Sequence, residues 1–120
     1  FEKIVIFDIR TENNTYRELS DGGFEVTINA FTNKFEADGQ GKEVPVDVDA
    51  LIDVAVLGKK DAITEVPEVL YMSKHRIESE NITITVIVDR EPESAGLDPF
   101  HKLIDRNPED NVSQLEKKVE

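Results

Sequence analysis

The sequence predicts an all-β fold, an antiparallel two-sheet sandwich of the immunoglobulin or fibronectin kind with about seven strands. Three observations lead there. Apolar and polar residues alternate with period two over several stretches, which places one strand face on a core and the other toward water. Glycine-containing turn clusters separate those stretches at short intervals, as hairpins require. No segment before residue 107 carries a sustained helical period.

The strands follow in order. Lys3 to Ile9 is apolar on both faces. A short strand lies around Tyr16 to Leu19, and Asp21-Gly22-Gly23 turns it into a strand starting at Phe24, where Phe24, Val26, Ile28 and Ala30 alternate with Glu25, Thr27 and Asn29. Asp38-Gly39-Gln40-Gly41 leads into Lys42 to Val48. Pro45 cannot donate to a ladder, so that stretch belongs at an edge or a bulge. Leu51 to Leu57 ends at Gly58-Lys59-Lys60-Asp61, and Val69 to Ile77 follows. Asp61 to Val69 is the least regular part of the pattern, and Pro67 argues against a helix through it. After a polar corner at Glu78 to Asn81, Ile82, Ile84, Val86 and Val88 alternate with Thr83, Thr85 and Ile87.

Composition bounds the rest. The 120 residues suit one domain, placed at 1–106, with 107–120 a polar tail. In that tail Val112, Leu115 and Val119 fall at helical spacing, so either a short helix or a frayed end is expected. The chain opens on Phe1 without an initiator Met, and a strand pattern begins by Lys3; a fragment of a larger protein is therefore expected.

The net charge is −12, from 26 acidic and 14 basic residues, with no basic stripe. Nucleic acid is disfavoured as a partner. So are anionic membrane surfaces, and no apolar run is long enough to insert directly into a bilayer. Without Cys there is neither disulfide nor thiolate metal site. With no Trp, two Tyr and six Phe, the core must rest on Val, Ile, Leu and Phe.

No catalytic constellation is found, so the chain is read as a non-enzyme with no cofactor. A zinc peptidase helix of the H-E-x-x-H kind needs two His one turn apart, whereas the histidines here are His75 and His101. Neither Ser20, Ser73, Ser79, Ser94 nor Ser113 sits in a nucleophile elbow, and no phosphate-binding glycine loop occurs. Asp38, Glu43, Asp47, Asp49 and Asp53 form an acidic stretch without the offsets of a calcium loop. It reads as a solvated edge that resists strand-to-strand association, with a weak calcium site as the alternative.

Ala95 to Asn107 stands apart from the alternating strands. Gly96 and Pro99 fix a bend, and Asp98 is placed to accept a backbone N–H as Asx turns do. The segment is expected to provide a closing turn and last strand. Leu97, Asp98, Phe100 and Leu103 are its candidate docking residues toward a neighbouring domain.

That segment, with Ala95-Gly96-Leu97-Asp98-Pro99-Phe100 and Lys102-Leu103-Ile104-Asp105-Arg106, resembles the C-terminal β domain of bacterial membrane proteins that fuse an ABC-type transporter permease region to a zinc-aminopeptidase-like domain. Weaker pieces of the same resemblance are Phe1 to Val5, Phe24 to Thr27, Glu43 to Asp47, Ile52 to Val54 and Lys74 to Ile77, so it spans nearly the whole chain. The resemblance implies a soluble domain of a bacterial inner-membrane protein, on the periplasmic side. Its partner would be the neighbouring peptidase-like domain of the parent chain. The H-E-x-x-H helix has no counterpart here, so no catalytic residue carries over. The function expected is that of a non-catalytic accessory or interaction module; the alternative is a ligand-binding β-module for a peptide, glycan or calcium.

Overall fold

The computed structural model describes residues 4–103, 105 and 111–118. It is a β-sandwich. Among the described residues ten strands, rather than about seven, form two sheets: β1 (Ile4–Thr11), β2 (Thr15–Glu18), β3 (Phe24–Ala37), β4 (Glu43–Val46), β5 (Ala50–Lys60), β6 (Pro67–Ile77), β7 (Asn81–Val88), β8 (Ser94–Leu97), β9 (Val112–Gln114) and β10 (Glu116–Lys117). The first seven coincide with the alternating runs. Among the described residues no helix is long and apolar enough to cross a membrane.

The long strand β3 is the spine of the first sheet. Along one side, β1 pairs with Ala30–Ala37 and β2 with Phe24–Thr27; along the other, β7 pairs with Phe24–Phe31 and β4 with Lys34–Ala37. The second sheet has the order β6-β5-β8-β9, antiparallel throughout. The alternating side chains meet between the sheets. Ile9, Val26 and Ile28 from the first sheet and Ile52, Val54, Val56 and Leu97 from the second are essentially solvent-free. Burying each contributes on the order of 1.5–3 kcal/mol. Phe7, Val86, Val88 and Ile77 extend this core toward the two ends.

The handover from β1 to β2 contains an extra residue. Thr11 faces Ala30 while Thr15 faces Thr27, so four steps on one side answer three on β3. Such an insertion orphans a backbone group on the facing strand. Asn14, only 1% exposed, repairs it. Its Oδ1 accepts the Asn29 N–H at 2.8 Å, and its Nδ2 donates to the Ala95 carbonyl at 3.2 Å and to Ser113 Oγ at 2.7 Å. One amide thus joins β3, β8 and β9 across the two sheets.

The C-terminal segment departs from expectation. Residues 112–114 extend the second sheet beside β8, and Glu116–Lys117 pair in parallel with β2 in the first. This replaces the short helix or frayed end inferred from the spacing of Val112 and Leu115; Val119 lies outside the described residues. The change of sheet happens at Leu115, which packs against the core while its N–H donates to the Glu93 carbonyl at 2.9 Å. Gly96 makes the crossing feasible: a Cβ there would stand 2.0 Å from the Asn111 carbonyl oxygen.

Candidate interaction site

The closing segment leaves the second sheet at Leu97, in β8. The strand of this segment therefore precedes the bend instead of following it, and β9 and β10 come later in the chain. The Leu97 N–H donates to the Asn111 carbonyl at 3.0 Å, and its side chain is fully buried. Asp98 follows with φ 46°, a left-handed conformation that Asp tolerates better than most residues. Its N–H donates to the Asp53 carbonyl at 2.7 Å. Its carboxylate accepts the Lys102 N–H at 2.9 Å and the Leu103 N–H at 3.0 Å. Asp98 is the clasp of the bend, and it is 2% exposed.

Leu103 is half-buried against the core, and Asp105 forms a parallel bridge to Phe7 of β1. The bend thus runs from one sheet to the other and covers one end of the sandwich. Ile104 and Arg106 lie outside the described residues. Of the four candidate docking side chains, Leu97 and Asp98 face inward and Leu103 is shared with the core; Phe100, 56% exposed, is the one presented to solvent.

Asp53 anchors the bend to β5. Its carboxylate lies 3.2 Å from Lys74 Nζ and 3.4 Å from Lys102 Nζ. The hydrogen bond from Lys74 is the main reason its carboxyl sits below the usual Asp range; partial desolvation opposes this, and Lys102 reinforces it.

The remaining titratable candidates do not converge. His75 is half-buried, with its ring Nε2 2.7 Å from the Tyr71 hydroxyl. His101 lies exposed in the bend. Members of the acidic stretch are engaged separately: Asp38 accepts the Gln40 and Lys42 N–H groups, Asp49 pairs with Arg76, and Asp53 pairs with the two lysines. Among the described residues no group of three or more His, Asp or Glu is placed to hold a metal ion.

A second exposed apolar feature is not legible in the alternation of the sequence. It is the tip of the β5–β6 hairpin, in the stretch with the least regular pattern. Asp61 organises it: its Oδ1 accepts the Ile63 N–H at 2.8 Å and the Thr64 N–H at 3.0 Å, and its backbone exchanges bonds with Val66 and Glu65. Those backbone donors, Thr64 first and then Ile63, lower the Asp61 carboxyl from its ordinary value. On this fastened loop Ile63 is 93% exposed and Val66 62%, and Val69, at the start of β6, is 45% exposed. An Asp two residues ahead of an isolated apolar residue, in a run bounded by Lys59-Lys60 and Pro67, is the signal that could have located it.

No family model matches the sequence, and no curated protein or solved structure is significantly similar to it.

Proposed function

We propose that this chain is a non-catalytic accessory and interaction β domain at the C-terminus of a membrane-bound zinc-aminopeptidase-like or transporter-permease fusion protein. In this reading it stands on the periplasmic side of a bacterial inner membrane and braces the neighbouring peptidase-like domain. The observation that carries it is the β5–β6 hairpin tip, where Ile63 and Val66 are held out on a loop fastened by Asp61, with Val69 exposed beside them at the start of β6. Exposed apolar side chains on ordered backbone are what a docking surface needs, because little conformational entropy remains to be lost on contact. Phe100 on the closing bend is a further anchor of the same kind. The resemblance of the closing segment supplies the identity of the neighbour.

The test is made in the parent protein. Ile63→Asp with Val66→Asp places charge where the reading puts an apolar contact, and losing one well-buried anchor costs about 2 kcal/mol or more. Parent abundance or peptidase activity is expected to fall with these substitutions and with deletion of the domain. If both stay at the level of the unaltered protein, the reading is wrong.

A further inference from the structure

Sheet edges offer unpaired backbone groups, and natural proteins guard them with charge, proline, bulges or short strand length. Most edges here are guarded. β1 carries Asp8 and Arg10 and receives Asp105, β4 carries Pro45, and β10 is Glu116–Lys117. β6 begins at Pro67, contains Lys74 and Arg76, and has register shifts against β5; β9 is only three residues long. β7 has none of these. Asn81–Val88 contains no charge and no proline, keeps one register with β3 over its whole length, and pairs with no other described strand.

The backbone direction of β7 follows from one bond. The Thr32 N–H donates to the Glu80 carbonyl at 2.7 Å, in the register that continues through Ala30–Ile82 and Ile28–Ile84. Antiparallel ladders alternate bonded and non-bonded pairs. The even-numbered residues of β7 therefore bond β3, and Asn81, Thr83, Thr85 and Ile87 aim their N–H and C=O groups outward. The facing strand agrees. Asn29, opposite Thr83, spends its N–H on Asn14 Oδ1 and its carbonyl on the Glu12 N–H, on the other side of β3. All four outward residues of β7 are exposed, and Ile87 is 65% so.

We propose that the β7 edge is a strand-addition site for an extended segment of a partner polypeptide, uncharged and β-branched in its middle and basic at both ends. Backbone pairing supplies affinity in this mode, and side-chain sites beside the edge supply selectivity. Exposed acids bracket the strand, Glu80 before it and Asp89 after it. Two surface troughs lie near its ends, one of about 210 Å³ lined by Glu12, Asn81 and Thr83, the other of about 390 Å³ lined by Asp21, Ile87 and Asp89. The same charges disfavour a second copy. A two-fold antiparallel β7 pair would bring the Glu80 end of one strand to the Asp89 end of the other, twice, between chains of net charge −12. This site goes beyond the accessory-domain reading, since it depends on the edge and not on the hairpin tip.

The test uses the whole 120-residue chain and a synthetic peptide of alternating valine and threonine with paired lysines at both ends. A twin peptide carries glutamates in place of the lysines. The lysine peptide is expected to slow amide exchange at Thr83, Thr85 and Ile87 by about tenfold or more, and the glutamate twin to leave it unchanged. Thr85→Pro removes one outward N–H that β3 does not use, so it should abolish that protection while the spectrum of the core remains. Thr85→Lys adds an edge charge and should weaken the lysine peptide without touching the backbone. Ile63→Asp should leave peptide binding intact, which separates failure of this site from failure of the hairpin-tip reading. Absence of protection, equal protection by both peptides, or peptide-free protection that grows with protein concentration overturns the proposal; the last result would assign the edge to a second copy.

Discussion

Asn14→Ala removes three hydrogen bonds at once, those to the Asn29 N–H, the Ala95 carbonyl and Ser113 Oγ. Each is worth on the order of 1 kcal/mol net, and an orphaned donor such as the Asn29 N–H costs about 1–3 kcal/mol unless water reaches it. That N–H is aimed at Asn14, which is 1% exposed, so water has little access to it. The expected loss is therefore about 2–4 kcal/mol, a large share of the roughly 5–15 kcal/mol that holds a domain together. In urea, with a slope of about 1–3 kcal/mol/M, the unfolding midpoint should fall by about 1–2 M. A double-mutant cycle with Ser113→Ala isolates the contact between the sheets; a coupling of about 0.5–1.5 kcal/mol is expected for groups that touch. A stability loss below about 0.5 kcal/mol, or a coupling of zero, refutes the view that this amide is what joins β3 to β8 and β9.

Gly96→Ala should dislodge residues 111–118, because the new Cβ meets the Asn111 carbonyl oxygen at 2.0 Å and the Val112 Cα at 2.7 Å, backbone atoms that cannot rotate aside. The Leu115 and Glu116 amides, which bond Glu93 and Asn14, should then lose exchange protection while β3 keeps most of its own. Asp53→Asn should flatten the acid side of the stability curve. The Asp53 carboxyl is lowered in the folded state, chiefly by Lys74, so its contribution is present above the ordinary Asp value and fades as pH falls through the lowered one. Thermal melting from pH 7 down to about pH 2 should show the two proteins converging in acid; a constant gap would contradict the assignment. Because Lys74 and Lys102 are more than half exposed, the gap at neutral pH should be small and should shrink further with salt.

Alternation made the sheets readable wherever one face is buried. It failed where the burial pattern is not simple. β3 continues to Ala37, yet beyond Ala30 the polarity inverts: Lys34 and Glu36 share a face with Thr32, while Phe31 and Phe35 lie on the opposite one, and Phe31 is covered by Arg10 at 4.6 Å. The spacing of Val112 and Leu115 looked helical because the chain changes sheets between them, so a single period does not describe it. Asp98 was legible as an Asx-type acceptor from its place beside Gly96 and Pro99, and it accepts two N–H groups. The inward direction of Leu97 was not legible, because an apolar residue next to a bend can face either way. The β7 edge illustrates a different limit. Its composition stands in the sequence, but only the pairing pattern reveals that nothing described lies alongside it.

The stitching of β1 and the following turn to the C-terminal segment also sets a timetable for synthesis. Thr11 lies 3.1 Å from the Asn111 carbonyl oxygen and 3.2 Å from Ser113 Oγ, contacts separated by 100 and 102 residues of chain. A ribosome adding about 5–20 residues per second needs roughly 5–20 s to make the partners of those first strands. Until they emerge, the buried face of β1 has no finished sandwich to join, and the unguarded β7 strand is already exposed. That interval is when a nascent chain of this design most needs a chaperone.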